Sequence, residues 1–206
     1  VIDATGKPAV GAEIGLTAME HGKHLVMMNV EADVTIGAYL AREAKRLGVP
    51  ALVLTFDPHP RSVFRPQHPL FIITPPPMRA RLLGELGFDA VVEQPFDREF
   101  AAHSADRFVD EILVAHLGIA GAVTGFDFHF GKDRAGGPAF LMAAGETRGF
   151  DVTLVDAFRD EGAEVVSSSR IRALLETGDV SGGAGLLGYR YTVEAPQGEL
   201  EGLGLT

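Results

Sequence analysis

The stretch "PALVLTFDPHPRSVF" (residues 50–64) decides the fold class of this chain. A run of valine and leucine leads directly into Asp57 and two prolines, a pattern typical of a buried β-strand that ends in a stiff loop. Comparable apolar runs, bounded by Gly, Pro or Asp, predict further strands at residues 1–5, 23–30, 90–96, 121–128 and 150–158.

Longer segments with helical spacing of apolar residues separate these strands. They lie at residues 9–20, 34–48, 77–87, 104–118, 138–149 and 168–178, and most end on glycine, which tolerates the left-handed conformation that closes a helix. Regular alternation of strands and helices indicates right-handed βαβ units. We therefore predict an α/β fold: a parallel sheet with helices on both faces.

Composition and charge limit the classes of function. The 206 residues are 46% hydrophobic, carry a formal charge of −10 and include no cysteine. A net negative charge repels nucleic acid, and the absence of cysteine excludes disulfides and thiolate chemistry. No apolar run reaches the ~20 residues that span a bilayer. We expect a soluble, cytoplasmic protein with no nucleic-acid or membrane partner and no metal site of its own.

Two predicted strands end in segments that combine aromatic and polar residues. In parallel sheets ligands bind at the carboxyl ends of strands. "TFDPHPRSVF" places Pro58, His59 and Phe64 after one strand, and "GFDFHFGKDRAGG" (residues 125–137) places Asp127 and Phe128 after another. Aromatic faces that alternate with polar groups suit a planar ring with an attached anion. A rigid turn and a strand end with half-buried phenylalanines are the alternatives.

The segment "VVSSSRIRALLETGDV" (residues 165–180) indicates an anion site. We expect a buried valine pair that leads into Ser167, Ser168 and Ser169 at the start of a helix bearing Arg170 and Arg172. Hydroxyls, free backbone N–H groups and cations in a first helical turn bind phosphate. The alternative is a helix N-cap without a ligand.

Taken together, five ordered motifs resemble the adenylyltransferase module of bacterial FAD synthetase, the riboflavin kinase/FMN adenylyltransferase family. The resemblance covers about residues 50–191; its motifs are TFDPHPRSVF, LGFDAVVEQPFDREFA, SADRFVDEILVAHL, GFDFHFGKDRAGG and VVSSSRIRALLETGDV. It implies an α/β fold of the Rossmann-like nucleotidyltransferase type. It also implies transfer of AMP from ATP to FMN, with Mg²⁺ accompanying ATP, to give FAD and pyrophosphate.

The resemblance also implies roles for individual residues. Ser168, Ser169 and Arg172 match the Ser-Thr-x-x-Arg nucleotide motif and are the candidate catalytic residues, with Ser167 and Arg170 as further nucleotide-binding residues. The candidate flavin-binding residues come from the two strand-end segments; they are Pro58, His59, Phe64, Asp127 and Phe128.

The first 48 residues depart from that family. Its first strand leads into a His-x-Gly-His turn that holds ATP phosphates, and no such turn occurs here; residues 1–48 instead resemble part of a homoserine-dehydrogenase-like NAD-binding domain. We therefore expect two joined α/β pieces, with a βαβ segment at 1–48, an FMN adenylyltransferase-like domain at 49–191, and a tail or the start of a further domain at 192–206. The joint lies within residues 38–51.

Because the histidine turn is absent, we predict that AMP transfer is impaired. Two alternative functions remain open. These are a flavin- or nucleotide-binding module without turnover, and an NAD(P)-dependent oxidoreductase fragment with a site near Asn29 and Glu31. In the tetrad "HGKH" (residues 21–24), His21 and Gly22 are predicted to close a helix, and Lys23 and His24 to begin the next strand, rather than to bind phosphate. We expect no riboflavin kinase activity, because the chain ends where that β-barrel would begin, and the sequence does not indicate an oligomeric state.

Overall fold

The fold is a five-stranded parallel sheet with helices on both faces. The computed structural model describes the backbone of residues 25–27, together with residues 41–42, 44–45, 48, 50–68, 70–157, 159–160 and 162–192. The strands are β1 (Leu25–Met27), β2 (Ala51–Asp57), β3 (Ala90–Pro95), β4 (Gly121–Gly125) and β5 (Asp151–Val155). The α/β prediction is confirmed.

The strand order β3-β2-β1-β4-β5 creates a switch point between β1 and β4. From β1 the chain builds outward through β2 to β3, and it then returns to the other side of β1 for β4 and β5. Loops that leave the carboxyl ends of strands on the two sides of a switch point diverge, which opens a crevice for ligands.

Strand β1 comes from the N-terminal segment yet lies at the centre of the sheet. Met27 pairs with Val53 of β2 on one side and with Val123 of β4 on the other. The strand predicted at residues 23–30 is therefore confirmed for residues 25–27. A strand from the first 48 residues therefore belongs to the same sheet as β2 and β4, the strands that precede the candidate flavin-binding loops.

Alternating side chains of the strands form two cores, one on each face of the sheet. Val53 packs with Ala41, Ala44, Leu83 and Phe88 on one face. On the opposite face, Leu54 belongs to a larger cluster with Phe108, Leu113, Phe130, Leu141 and Phe150. Because both faces are covered, the strands are continuous apolar runs, as expected of a parallel sheet.

Most predicted helices are present in the described chain. The helices are α1 (Pro60–Phe64), α2 (Pro76–Glu85), α3 (Arg98–Ala101), α4 (Ala105–Arg107), which continues as a π-helix (Phe108–His116), a 3₁₀ turn (Lys132–Arg134), α5 (Pro138–Arg148), α6 (Ser168–Glu176) and α7 (Val180–Leu187). Residues 41, 42, 44 and 45 are also helical, in agreement with the helix predicted at 34–48. Among the described helices none is long and apolar enough to cross a membrane.

Two local predictions are wrong. The strand predicted at residues 121–128 ends at Gly125, because the Phe128 N–H donates to the Gly125 carbonyl (3.2 Å) and closes a turn. The valine pair before the serines is not buried: Val165 is 38% exposed and forms only an isolated bridge with Arg159. The predicted strand at 1–5, the helix at 9–20, the tetrad at 21–24, the site near Asn29 and Glu31, and residues 193–206 lie outside the described residues.

The chain divides into two compact units, Val1–Val165 and Val166–Thr206. The first holds the sheet. In the second, α6 packs against α7, and a Cβ at Gly183 would lie 2.9 Å from Cδ2 of Leu175, so the two helices approach closely at this glycine.

Candidate functional site

The segment after β2 presents Phe64 on a short capped helix. His59 is the N-cap of α1, and its Nδ1 accepts a hydrogen bond from the Arg61 N–H (3.1 Å). Pro60 occupies the first helical position, where a missing N–H costs nothing. The Asp57–Pro58 peptide bond is cis, and Phe64 is 59% exposed. The segment therefore combines the predicted rigid turn with an exposed aromatic face.

The segment between β4 and α5 (residues 126–137, called the β4–α5 loop below) is closed by several backbone hydrogen bonds. Phe126 N–H donates to the Val155 carbonyl (3.0 Å), and Phe130 and Gly136 exchange two hydrogen bonds of 3.1 and 2.9 Å. Asp127 is exposed and Phe128 is half-buried beside it. The loop thus has a fixed backbone and an accessible carboxylate.

A chain of phenylalanine rings joins these two segments beneath the carboxyl ends of the strands. Successive ring centroids from Phe64 through Phe96, Phe56, Phe108 and Phe130 to Phe128 are separated by 6.0, 5.7, 6.3, 5.0 and 5.4 Å. Most pairs are edge-on or tilted, whereas Phe128 and Phe130 are stacked at 25°. The structure therefore connects the predicted residues Phe64 and Phe128 through one aromatic layer.

Sequence reasoning missed most of the residues between the two ends of this chain. Phe108 is 2% exposed and starts the π-helix, and Phe100 packs against Phe56, Phe96 and Phe108. The available signal was the number of phenylalanines, 13 in a chain without tryptophan, many of them just after predicted strands.

The turn that carries Lys132 and Arg134 docks onto the start of α4. Lys132 N–H donates to the His103 carbonyl (2.7 Å). Gly131 has φ +73°, and a Cβ there would lie 2.7 Å from the backbone nitrogen of Ala105, so only glycine fits. This contact fixes the far end of the β4–α5 loop.

In the second unit the serine segment starts a helix, as predicted. Ser167 is the N-cap of α6, and its hydroxyl accepts from the Arg170 N–H (3.3 Å). Ser168 and Ser169 occupy the first turn, and Arg172 follows one turn further along the same helix. Ser167 therefore caps α6, and Ser168 and Ser169 lie in the first turn of that helix.

Two groups of ion pairs on the helices that cover the sheet shift the pKa values of their members. Arg148 bonds Asp110 (2.5 Å) and Asp106 (2.8 Å), and its hydrogen bond holds the pKa of Asp110 below its ordinary value. Arg107 bonds Glu111 (2.8 Å) and likewise lowers the pKa of that carboxyl. The Arg148 pairs connect α5 to α4 and to the π-helix, whereas the Arg107–Glu111 pair joins α4 to the π-helix that continues it. Within the described part of the chain, no cluster of three histidine or carboxylate side chains is arranged to hold a metal ion.

The chain has a doubly wound parallel sheet, and loops with aromatic and polar residues follow the carboxyl ends of its strands. This arrangement defines a Rossmann-like α/β domain. Residues 35–170 match the family model described as FAD synthetase. The chain therefore belongs to the FAD synthetase family, and the resemblance stated from its motifs is confirmed.

The curated relatives are described as bifunctional riboflavin kinase/FMN adenylyltransferases. The chain is 32% identical over 154 residues to the bifunctional riboflavin kinase/FMN adenylyltransferase of Escherichia coli (strain K12), covering 75% of this chain and 49% of that protein. It is 36% identical over 156 residues to the protein of the same description from Pseudomonas fluorescens, covering 76% and 50%. The chain thus spans about half the length of the curated relatives it matches.

A solved structure shares the fold. It is titled as the crystal structure of a macrolide-efflux protein from Streptococcus pneumoniae, with a TM-score of 0.68 and 25% identity over 88% of this chain and 62% of that one.

Proposed function

We propose that this chain is an FMN adenylyltransferase, which transfers AMP from ATP to FMN and releases FAD and pyrophosphate. The observation that carries the proposal is the aromatic layer between Phe64 and Phe128, within the part of the chain that matches the FAD synthetase family. A row of rings beside an accessible carboxylate suits a planar, partly polar ring system such as isoalloxazine.

The reaction needs positioning and charge stabilisation rather than a protein nucleophile. An oxygen of the FMN phosphate attacks the α-phosphorus of ATP, a new P–O–P bond forms, and the bond to the β-phosphate breaks as pyrophosphate leaves. Mg²⁺ belongs to the substrate, since it enters bound to ATP. In this proposal Pro58, His59, Phe64, Asp127 and Phe128 hold the flavin.

In this proposal helix α6, which starts at the serine segment, binds the nucleotide. Ser168, Ser169 and Arg172 act on the phosphates of ATP in this proposal, and Ser167 and Arg170 assist in binding them. Backbone N–H groups and hydroxyls in the first turn of α6 donate to phosphate oxygens, and the guanidinium groups offset the negative charge that develops during transfer. We retain the division into 1–48, 49–191 and 192–206 as part of this proposal.

Transfer is proposed to be slow relative to relatives that carry the histidine turn. No His-x-Gly-His sequence occurs among the 206 residues. Removing one preorganised charge-stabilising group lowers kcat by about 100- to 1,000-fold. Comparison of kcat with that of the E. coli relative under the same conditions tests this point, and equal values would refute it.

A chromatographic assay of FAD formation from FMN and MgATP tests the proposed activity. The double variant Ser168→Ala/Ser169→Ala is expected to lose about 100-fold or more in rate. Ser181→Ala, an exposed serine of α7 in the same unit, is the matched control and is expected to keep the wild-type rate. Absence of FAD together with no calorimetric binding of FMN or ATP would refute the proposal.

The missing histidine turn also favours a second reading, a flavin- or nucleotide-binding module without turnover. Calorimetric binding of FMN and ATP, combined with no FAD formed over many hours, would select it.

A further inference from the structure

Helix α1 carries two arginines and one aromatic ring on the same face. The Arg65 N–H donates to the Arg61 carbonyl (2.9 Å), a helical bond across four residues. Residues three and four positions apart lie on one side of a helix, so Arg61, Phe64 and Arg65 are neighbours. All three are exposed, whereas Ser62 and Val63 on the other side are half-buried. Two cations therefore flank the ring at which the aromatic layer ends.

The sequence around this face is free of acidic residues. Between Asp57 and Glu85 it contains four arginines and no aspartate or glutamate, in a chain whose formal charge is −10. One of these arginines, Arg79, is half-buried and bonds Glu93 of β3 (2.8 Å). Positive charge that is concentrated on one part of an acidic protein raises the local concentration of anions there.

The guanidinium groups on the exposed face of α1 remain available to a ligand. Among the described residues, neither Arg61 nor Arg65 forms an ion pair or donates a side-chain hydrogen bond. Asp97, which follows β3, already accepts from the Phe100 N–H (2.7 Å) as the N-cap of α3. Asp57, at the end of β2, is exposed and bonds neither arginine.

The backbone that carries these arginines is stiff. Pro60 occupies the first position of α1, and Pro66 directly follows its C-cap, Arg65. A proline ring fixes φ, so the backbone on both sides of the face has little freedom to lose when a ligand binds.

We propose that Arg61 and Arg65 determine specificity for a phosphorylated flavin: they bind the phosphate of FMN while the flavin ring contacts Phe64. The proposal rests on the proposed function for the identity of this ligand. A guanidinium group stays charged at all ordinary pH values and donates two parallel hydrogen bonds to phosphate oxygens. Riboflavin has the same ring but no phosphate, so it gains nothing from the two arginines.

Titration of the whole chain with FMN and with riboflavin, followed by flavin fluorescence, tests the proposal. Wild type is expected to bind FMN about tenfold more tightly than riboflavin. The double variant Arg61→Gln/Arg65→Gln is expected to lose this preference, because FMN binding weakens while riboflavin affinity keeps its wild-type value. Unchanged riboflavin binding also verifies that the variant is folded.

Two controls separate the phosphate contact from other effects. Arg107→Gln removes one positive charge from an exposed position on α4 and is expected to keep the preference for FMN, in contrast to the single variants Arg61→Gln and Arg65→Gln. Added salt is expected to weaken FMN binding and to leave riboflavin binding unchanged, since the arginines are exposed.

A preference for FMN that survives in the double variant would overturn the proposal. Equal losses of affinity for FMN and riboflavin would also overturn it, because the arginines would then support the ring site rather than bind the phosphate. A double variant that loses affinity for MgATP and keeps its preference for FMN would assign the arginines to the nucleotide and refute the flavin contact.

The assay of FAD formation separates failure of this proposal from failure of the proposed function. If wild type forms no FAD but the double variant loses the preference for FMN, the proposed function fails and the phosphate contact stands. If wild type forms FAD and the double variant keeps the preference, the phosphate contact is refuted and the proposed function stands. Wild type that binds neither flavin refutes both.

Discussion

Replacing Phe130 with alanine is expected to destabilise the first unit strongly, because this ring is the junction of the aromatic layer. Phe130 is 7% exposed, and its ring centroid lies 5.0 Å from that of Phe108, 5.4 Å from Phe128 and 5.8 Å from Phe140. Truncating a buried phenylalanine costs about 3–5 kcal/mol, including the cavity that remains. The midpoint of thermal unfolding falls by roughly 2–4 °C for each kcal/mol in a chain of this size.

Urea unfolding followed by far-UV circular dichroism measures the loss, since the chain has no tryptophan to report by fluorescence. Phe126→Ala is the matched control: the same side chain is removed four residues earlier in the same loop, from a position that is 51% exposed. We expect less than about 1 kcal/mol for the control, as for most exposed positions. If the free energies of unfolding of the two variants fall by the same amount, packing of Phe130 in the aromatic layer does not stabilise the first unit as predicted.

Three further perturbations test the scaffold and the serine helix. Gly131→Ala is expected to lower the free energy of unfolding by about 2–4 kcal/mol, measured in urea, because it combines a left-handed φ with a clash against Ala105. Asp110→Asn is expected to reduce the acid dependence of stability in a urea titration against pH. Arg148 lowers the pKa of Asp110 on folding, so this pair stabilises the native state above the unfolded pKa of about 4 and loses that contribution as pH falls through the lower folded value. Ser167→Ala is expected to cost about 1 kcal/mol by removing the cap of α6, and also to weaken ATP binding in calorimetry.

Each of these three perturbations has its own control. Gly118→Ala shares the positive φ (+58°) but has open space for a Cβ, so a loss as large as that of Gly131→Ala would exclude the clash. Raising the salt concentration is expected to weaken the effect of Asp110, since the pair is solvent-exposed, and an unchanged effect would contradict an ion pair. Ser104→Ala removes the equivalent cap of α4 and is expected to leave ATP affinity unchanged; equal losses of affinity would mean that Ser167 acts through stability alone.

Strands and long helices were readable from the sequence because their periodicity matches their burial. The run from Ala51 to Leu54 alternates between the two cores and is apolar on both faces, so its strand character is unambiguous. Helix α7 was missed, since its sequence "VSGGAGLL" is rich in glycine, which disfavours helices. It forms because Asp179 caps it and because Gly183 permits close packing against Leu175.

Tertiary contacts account for the other differences from prediction. Phe126 and Phe128 look like a continuation of β4, but the Phe126 N–H bonds Val155 while Phe128 turns back to Gly125, so the strand ends. The phenylalanine layer depends on which strands are neighbours, and the order β3-β2-β1-β4-β5 does not follow from local patterns.

Conversion of FMN and MgATP by the purified chain is the measurement that bears most directly on the proposed function. FAD and pyrophosphate are expected to accumulate in equal amounts, at a rate that depends on Ser168 and Ser169. Release of pyrophosphate without FAD, or no product at all over many hours of incubation, would contradict it.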